Sequence, residues 1–103
     1  MYTELIIGPM FSGKTTYLIK NYSLNKTVAF KPKIDTRYSD KQIVSHQKEK
    51  IPCIPIEDIC SDYVLDISKK MKTILIDEVQ FLPNILEYLK YLEENNFKGK
   101  IIM

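Results

Sequence analysis

The chain has 103 residues, 45% of them hydrophobic, and a formal net charge of +2, which fits one globular domain around a single core. So small a charge does not by itself argue for nucleic acid, and none is expected as a partner; no apolar run approaches the ~20 residues of a membrane span. The start Met1-Tyr2-Thr3-Glu4 has no basic region ahead of its apolar stretch, as a secretory signal would, so a soluble cytoplasmic protein is expected.

In chain order, residues 4–7 with the apolar run Leu5-Ile6-Ile7 read as a short buried strand. Gly8-Pro9-Met10-Phe11-Ser12-Gly13-Lys14-Thr15 follows, a full match to the phosphate-binding pattern G-x-x-x-x-G-K-[ST]. Glycines at both ends let the backbone curl so that its N–H groups converge on phosphate oxygens. A helix opening at Thr15-Thr16-Tyr17-Leu18-Ile19, expected over 14–24, adds the partial positive charge of its N-terminus. In such loops the lysine, here Lys14, reaches the terminal phosphates, and the hydroxyl, here Thr15, ligates magnesium. The pattern predicts a nucleoside-triphosphate site.

Thr27-Val28-Ala29-Phe30-Lys31 is a second strand, expected to stop at Pro32. Lys33 to Lys50 is polar and reads as a long connection, a kind usually functional or mobile. Arg37, the sole arginine among 15 basic residues, stands out there because guanidinium is the better bidentate phosphate clamp. Ile51 to Ile56 alternates apolar residues with prolines and suits an edge strand. Cys53 and Cys60 fit neither a disulfide framework nor a zinc site, so two reduced, partly buried thiols and no zinc ligands are expected. Glu57 to Ser68 reads as a weakly patterned helix, and the lysine runs 48–50 and 69–72 as solvated turns.

Thr73-Ile74-Leu75-Ile76 is a β-branched run ending at Asp77, as in a buried parallel strand. An aspartate there suits magnesium held opposite a phosphate loop. Glu78 adds a second carboxylate, fitted to act as general base on an attacking hydroxyl. Pro83-Asn84 starts a helix with Ile85, Leu89 and Leu92 on one stripe, and Lys100 to Met103 begins another strand. Strands alternating with helices predict an α/β fold with a parallel sheet, whose ligand site gathers at the carboxyl ends of the strands.

The phosphate loop, Asp35-Thr36-Arg37-Tyr38, Ser45-His46 and Ile76-Asp77-Glu78-Val79-Gln80-Phe81 together resemble the type II (cytosolic) thymidine kinases, from Leu5 to the C-terminus. The resemblance implies a P-loop NTPase-type (RecA-like) sheet and transfer of the ATP γ-phosphate to the 5′-hydroxyl of thymidine or deoxyuridine. It assigns Glu78 as base for that hydroxyl, Arg37 to charge on the transferring phosphoryl group, and Lys14 to the triphosphate. The nucleotide-contacting set then comprises Gly8, Pro9, Met10, Phe11, Ser12, Gly13, Lys14, Thr15 and Thr16, with Asp77 and Gln80. Thr15 and Asp77 fall on the magnesium side, with Asp35 as an outer partner, while Met10 and Phe81 fall in the nucleoside pocket. On the residues alone, Met10 and Phe81 suit a core equally well, Asp35 and Arg37 suit a loop ion pair, and His46 suits a structural hydrogen bond. Val79 stands where the family commonly has glycine or alanine, so a branched side chain is expected to crowd the backbone there.

The resemblance also implies parts that do not follow Met103: a further strand and loop, a last core strand, a zinc module and a lasso over the base. The expectation is therefore an incomplete P-loop kinase core over 1–103, truncated on its C-terminal side: a fragment, a degraded gene product or one part of a larger assembly. Lys100 to Met103 should insert between the first strand and the Asp77 strand. The family is commonly a feedback-regulated tetramer, so a homo-oligomer is possible. Two other readings stay open: an ATP-binding module without nucleoside kinase activity, and an unrelated P-loop ATPase acting on DNA, to which the small charge gives little support.

Overall fold

The computed structural model describes residues 1–6, 14–33, 42–44 and 49–103. In chain order the elements are β1 (Tyr2–Glu4), α1 (Lys14–Lys20), β2 (Thr27–Pro32), β3 (Gln42–Val44), β4 (Lys50–Pro52), β5 (Ile54–Ile56), α2 (Asp62–Lys70), β6 (Thr73–Ile76), a 3₁₀ turn (Val79–Phe81), α3 (Ile85–Glu94) and β7 (Lys100–Ile102). Five strands form one sheet in the order β1-β7-β6-β2-β5, and every pair in it is parallel. This is the expected α/β architecture, with β7 inserted between β1 and β6 as anticipated. β3 and β4 form a separate antiparallel pair.

Strand alternation sorts the core onto two faces of this sheet. Val28 and Phe30 of β2, Ile74 and Ile76 of β6 and Ile101 of β7 join Val64 of α2 and Tyr88 and Leu92 of α3 in one buried cluster. Their neighbours Ala29, Leu75 and Ile102 join Leu18 of α1 with Ile43 and Ile51 of the small sheet in another. Both faces of β2 and β6 are covered, which is why these segments read as unbroken apolar runs rather than alternating ones. Burying each large side chain contributes roughly 1.5–3 kcal/mol, so the central strands anchor the carboxyl-end loops.

α2 starts at Ser61, whose side chain accepts from the Val64 N–H at 3.4 Å, and ends with Lys69 and Lys70 against its negative end. Between α2 and α3, the fully buried Ser68 hydroxyl and Tyr88 phenol lie 2.6 Å apart, and Ser68 Oγ also donates to the Val64 carbonyl at 2.7 Å. A serine has one hydroxyl proton, so Tyr88 is the donor in that pair.

Several expected boundaries move. The first strand lies at Tyr2–Glu4 rather than 4–7, although its ladder runs on through Met103 N–H to Glu4 O (3.0 Å) and Ile6 N–H to Met103 O (2.7 Å). α1 ends at Lys20 instead of 24, and Asn25 downstream takes a positive φ of 70°. Pro32 belongs to β2, where it is the last residue and the partner of Ile56. The proline-rich stretch divides at Cys53: Lys50–Pro52 pairs with β3, and Ile54–Ile56 is the edge strand of the main sheet. Cys53 is buried and Cys60 half-buried, and neither is joined in a disulfide. Among the described residues, no helix is long and apolar enough to cross a membrane.

Candidate functional site

β6 delivers its acidic pair to the carboxyl end of the sheet. The Asp77 N–H donates to Phe30 O at 3.0 Å, which extends the β2–β6 ladder one residue past Ile76. Asp77 is half-buried, and its Oδ1 accepts the Glu78 N–H at 3.1 Å. The chain then turns sharply, because Glu78 adopts left-handed backbone angles, φ 53° and ψ 45°. That conformation costs a side-chain-bearing residue about 1–2 kcal/mol, and such outliers concentrate at functional sites. The 3₁₀ turn closes with Phe81 N–H donating to Glu78 O (3.1 Å) and Leu82 N–H to Val79 O (2.9 Å), while Leu82 plugs into the core. Across it, Gln80 Nε2 donates to Glu78 Oε2 at 2.5 Å.

A cleft opens where this turn faces the start of α1. Thr15, Leu18, Ile76, Asp77, Glu78, Val79 and Gln80 line it, with Ile6 past β1 and Met103 past β7. Leu18 is buried and packs on the sheet, which seats α1 with Thr15 on the same cleft as the acidic pair. The exposed face of α1 is tied to β1 by the Tyr17 hydroxyl, 2.8 and 3.0 Å from the Glu4 carboxylate oxygens. That carboxylate raises the Tyr17 phenol above its usual pKa.

Of the residues singled out in the sequence, the fold therefore brings Thr15, Asp77, Glu78 and Gln80 to one cleft. Lys14 is the first residue of α1, and Thr16, next after Thr15, is half-buried. Gly8, Pro9, Met10, Phe11, Ser12, Gly13, Asp35, Arg37 and His46 lie outside the described residues, as does the Lys14 side chain. Phe81 sits on the 3₁₀ turn, 52% exposed, and is not among the described residues lining the cleft. Val79 is half-buried against the core cluster and lines the cleft.

Sequence reasoning missed two contributions. Ile6, Leu18, Ile76 and Met103 make the apolar walls of the cleft, and each stands at the end of a strand or on the inner face of α1. Lys31 is only 3% exposed near the end of β2; the ladder register sets it one position past the Phe30–Ile76 pair, beside Asp77. It was legible only as a strand residue. A larger hollow of about 610 Å³ lies at the opposite, amino-terminal end of the strands, bordered by Tyr2, Lys72, Phe97 and Lys100. Helices α2 and α3 end there, so its lysines complement negative helix ends and have no part in the acidic site.

A parallel sheet with a G-x-x-x-x-G-K-[ST] segment before its first helix, and an Asp-Glu pair at the end of an inner strand, defines the P-loop class of nucleotide-binding folds. The profile of the family described as "Thymidine kinase" matches residues 1–103, and the chain belongs to that family. It is 43% identical over 104 residues to "Thymidine kinase" of Aster yellows witches'-broom phytoplasma (strain AYWB), covering 94% of this chain and 49% of that protein. It is 42% identical over 104 residues to "Thymidine kinase" of Onion yellows phytoplasma (strain OY-M), with the same 94% and 49% coverage. The chain thus spans about half the length of these curated relatives.

Proposed function

We propose that this chain carries the ATP side of a thymidine kinase, which transfers the ATP γ-phosphoryl group to the 5′-hydroxyl of thymidine or deoxyuridine. The observation that supports it best is the meeting of Thr15, Asp77 and Glu78 at one cleft on the carboxyl end of a parallel sheet. Glu78 is the general base that takes the 5′-hydroxyl proton as that oxygen attacks phosphorus. Lys14 and the backbone N–H groups of Gly8 to Thr16 hold the triphosphate, and Arg37 steadies the charge that spreads over the transferring group. Met10 and Phe81 flank the nucleoside base.

Thr15 and Asp77 offer a hydroxyl and a carboxylate, hard oxygen donors of the kind magnesium takes while it keeps several waters; Asp35 is the outer partner. Among the described residues, no group of three or more His, Cys, Asp and Glu comes together, and a two-donor site of this type needs none. Magnesium would supply neutralisation of β- and γ-phosphate charge.

The test is phosphoryl transfer from labelled ATP to thymidine, with ATP binding followed in parallel by calorimetry. Glu78→Gln should abolish turnover and leave ATP affinity intact, since the amide keeps the shape but accepts no proton. Unchanged turnover would remove Glu78 from the role of base. ATP binding with no thymidine binding would favour a nucleotide-binding module without kinase activity.

A further inference from the structure

The resemblance puts Gln80 among the residues that contact ATP, but its amide is engaged elsewhere. In a helical or 3₁₀ turn, residues two apart project to different sides and do not meet. Gln80 and Glu78 are two apart and nevertheless join through Nε2 and Oε2 at 2.5 Å. The left-handed backbone at Glu78 makes this possible, because it swings the Glu78 side chain back over the turn that follows. Two backbone bonds, Phe81 N–H to Glu78 O and Leu82 N–H to Val79 O, then fix Gln80 at its height above the carboxylate. On the other side, Asp77 Oδ1 holds the Glu78 N–H. Backbone and side chain of Glu78 are thus each gripped by a neighbour, and both Glu78 and Gln80 border the same cleft.

We infer that Gln80 is a positioning residue for Glu78, holding one carboxylate oxygen so that the other faces the acceptor hydroxyl. This rests on the reading of Glu78 as the base. The chemistry follows from the donor: an amide N–H directs the carboxylate without adding a charge that would oppose the arriving phosphates. A lysine or arginine in its place would form a tighter pair and compete for the triphosphate. Gln80 is exposed and carries no core packing, so its conserved-length apolar replacement leaves the fold standing.

The experiment uses Gln80→Met and Glu78→Gln in the kinase that carries this chain, with steady-state kinetics against ATP and thymidine and a melting curve for each variant. Gln80→Met should keep the wild-type melting midpoint and the wild-type KM for ATP, while kcat falls roughly tenfold to a hundredfold, the usual effect of losing orientation at a reacting group. In ¹⁵N–¹H spectra, the Gln80 side-chain amide should shift when Glu78 is changed to alanine. A raised KM for ATP with kcat retained would overturn the inference and return Gln80 to the nucleotide. So would wild-type kinetics in Gln80→Met beside an inactive Glu78→Gln. An active Glu78→Gln overturns the base reading itself, which separates the two failures.

Discussion

Replacing Ser68 by alanine should destabilise the fold more than replacing its partner Tyr88 by phenylalanine, although both remove the same hydrogen bond. Tyr88 donates to Ser68 Oγ at 2.6 Å, and Ser68 passes its own proton to the Val64 carbonyl at 2.7 Å. Both residues are 0% exposed, and burial holds the Tyr88 phenol well above its usual pKa, so it stays a protonated donor. In Tyr88→Phe the serine keeps the Val64 carbonyl as its partner. The loss is then one net hydrogen bond, about 0.5–1.5 kcal/mol. In Ser68→Ala the phenol keeps a buried proton with nothing to receive it, which costs about 1–3 kcal/mol on top of the lost bond. The double variant removes donor and acceptor together and should lie close to Tyr88→Phe alone, so the two single costs fail to add. Urea unfolding followed by circular dichroism, with linear extrapolation, reads all four proteins. In thermal melting, each kcal/mol should appear as about 4–8 °C for a chain of this size. Additive single costs, or a Tyr88→Phe cost above that of Ser68→Ala, would refute the donor assignment.

Three further outcomes are expected. Gly99→Ala should cost about 1–3 kcal/mol by overpacking, because a Cβ there would meet the Lys72 carbonyl at 2.3 Å and the Phe97 ring at 2.6 Å; urea unfolding checks it. Glu78→Gly should raise stability by up to about 1 kcal/mol, since glycine enters the left-handed region freely, and phosphoryl transfer in the same protein should vanish. Asp77→Asn should weaken the magnesium dependence of ATP binding, with affinity measured by calorimetry at high and low magnesium; equal loss of affinity with and without the metal would point to a general role in the cleft instead.

What the sequence revealed depended on whether the determining contacts were local. β6 and its terminal Asp77 were readable because a buried parallel strand must be apolar on both faces, and Thr73 to Ile76 is. The inward stripe of α3 was readable in part: Leu92 is buried as expected, but the residue at its centre is Tyr88, which the stripe of Ile85, Leu89 and Leu92 did not include and whose hydroxyl is buried against Ser68. β3 was hidden within a polar connection, since Gln42–Val44 becomes a strand only by pairing with β4, with Ile43 buried in the core. At the site, the motifs pointed to Thr15, Asp77 and Glu78, which the fold brings to one cleft, whereas the Glu78–Gln80 bond arises from a left-handed residue no propensity foretells in glutamate. The buried charge of Lys31 was equally hidden: lysine at a strand end ordinarily reaches water.

The strand order also has a consequence for how the molecule is made. Among the described residues β1 has one neighbour, β7, and β7 is the last strand of this segment to be synthesised. The residues leading into the phosphate loop therefore have no seat in the sheet until nearly all of this stretch has left the ribosome, while β2 and β6 can already pair. Closing so long a loop is slow relative to local pairing. A nascent chain paused just short of Lys100 would hold β2, β5 and β6 together but leave its amino-terminal strand unseated, to be taken into the sheet only as β7 slides between β1 and β6.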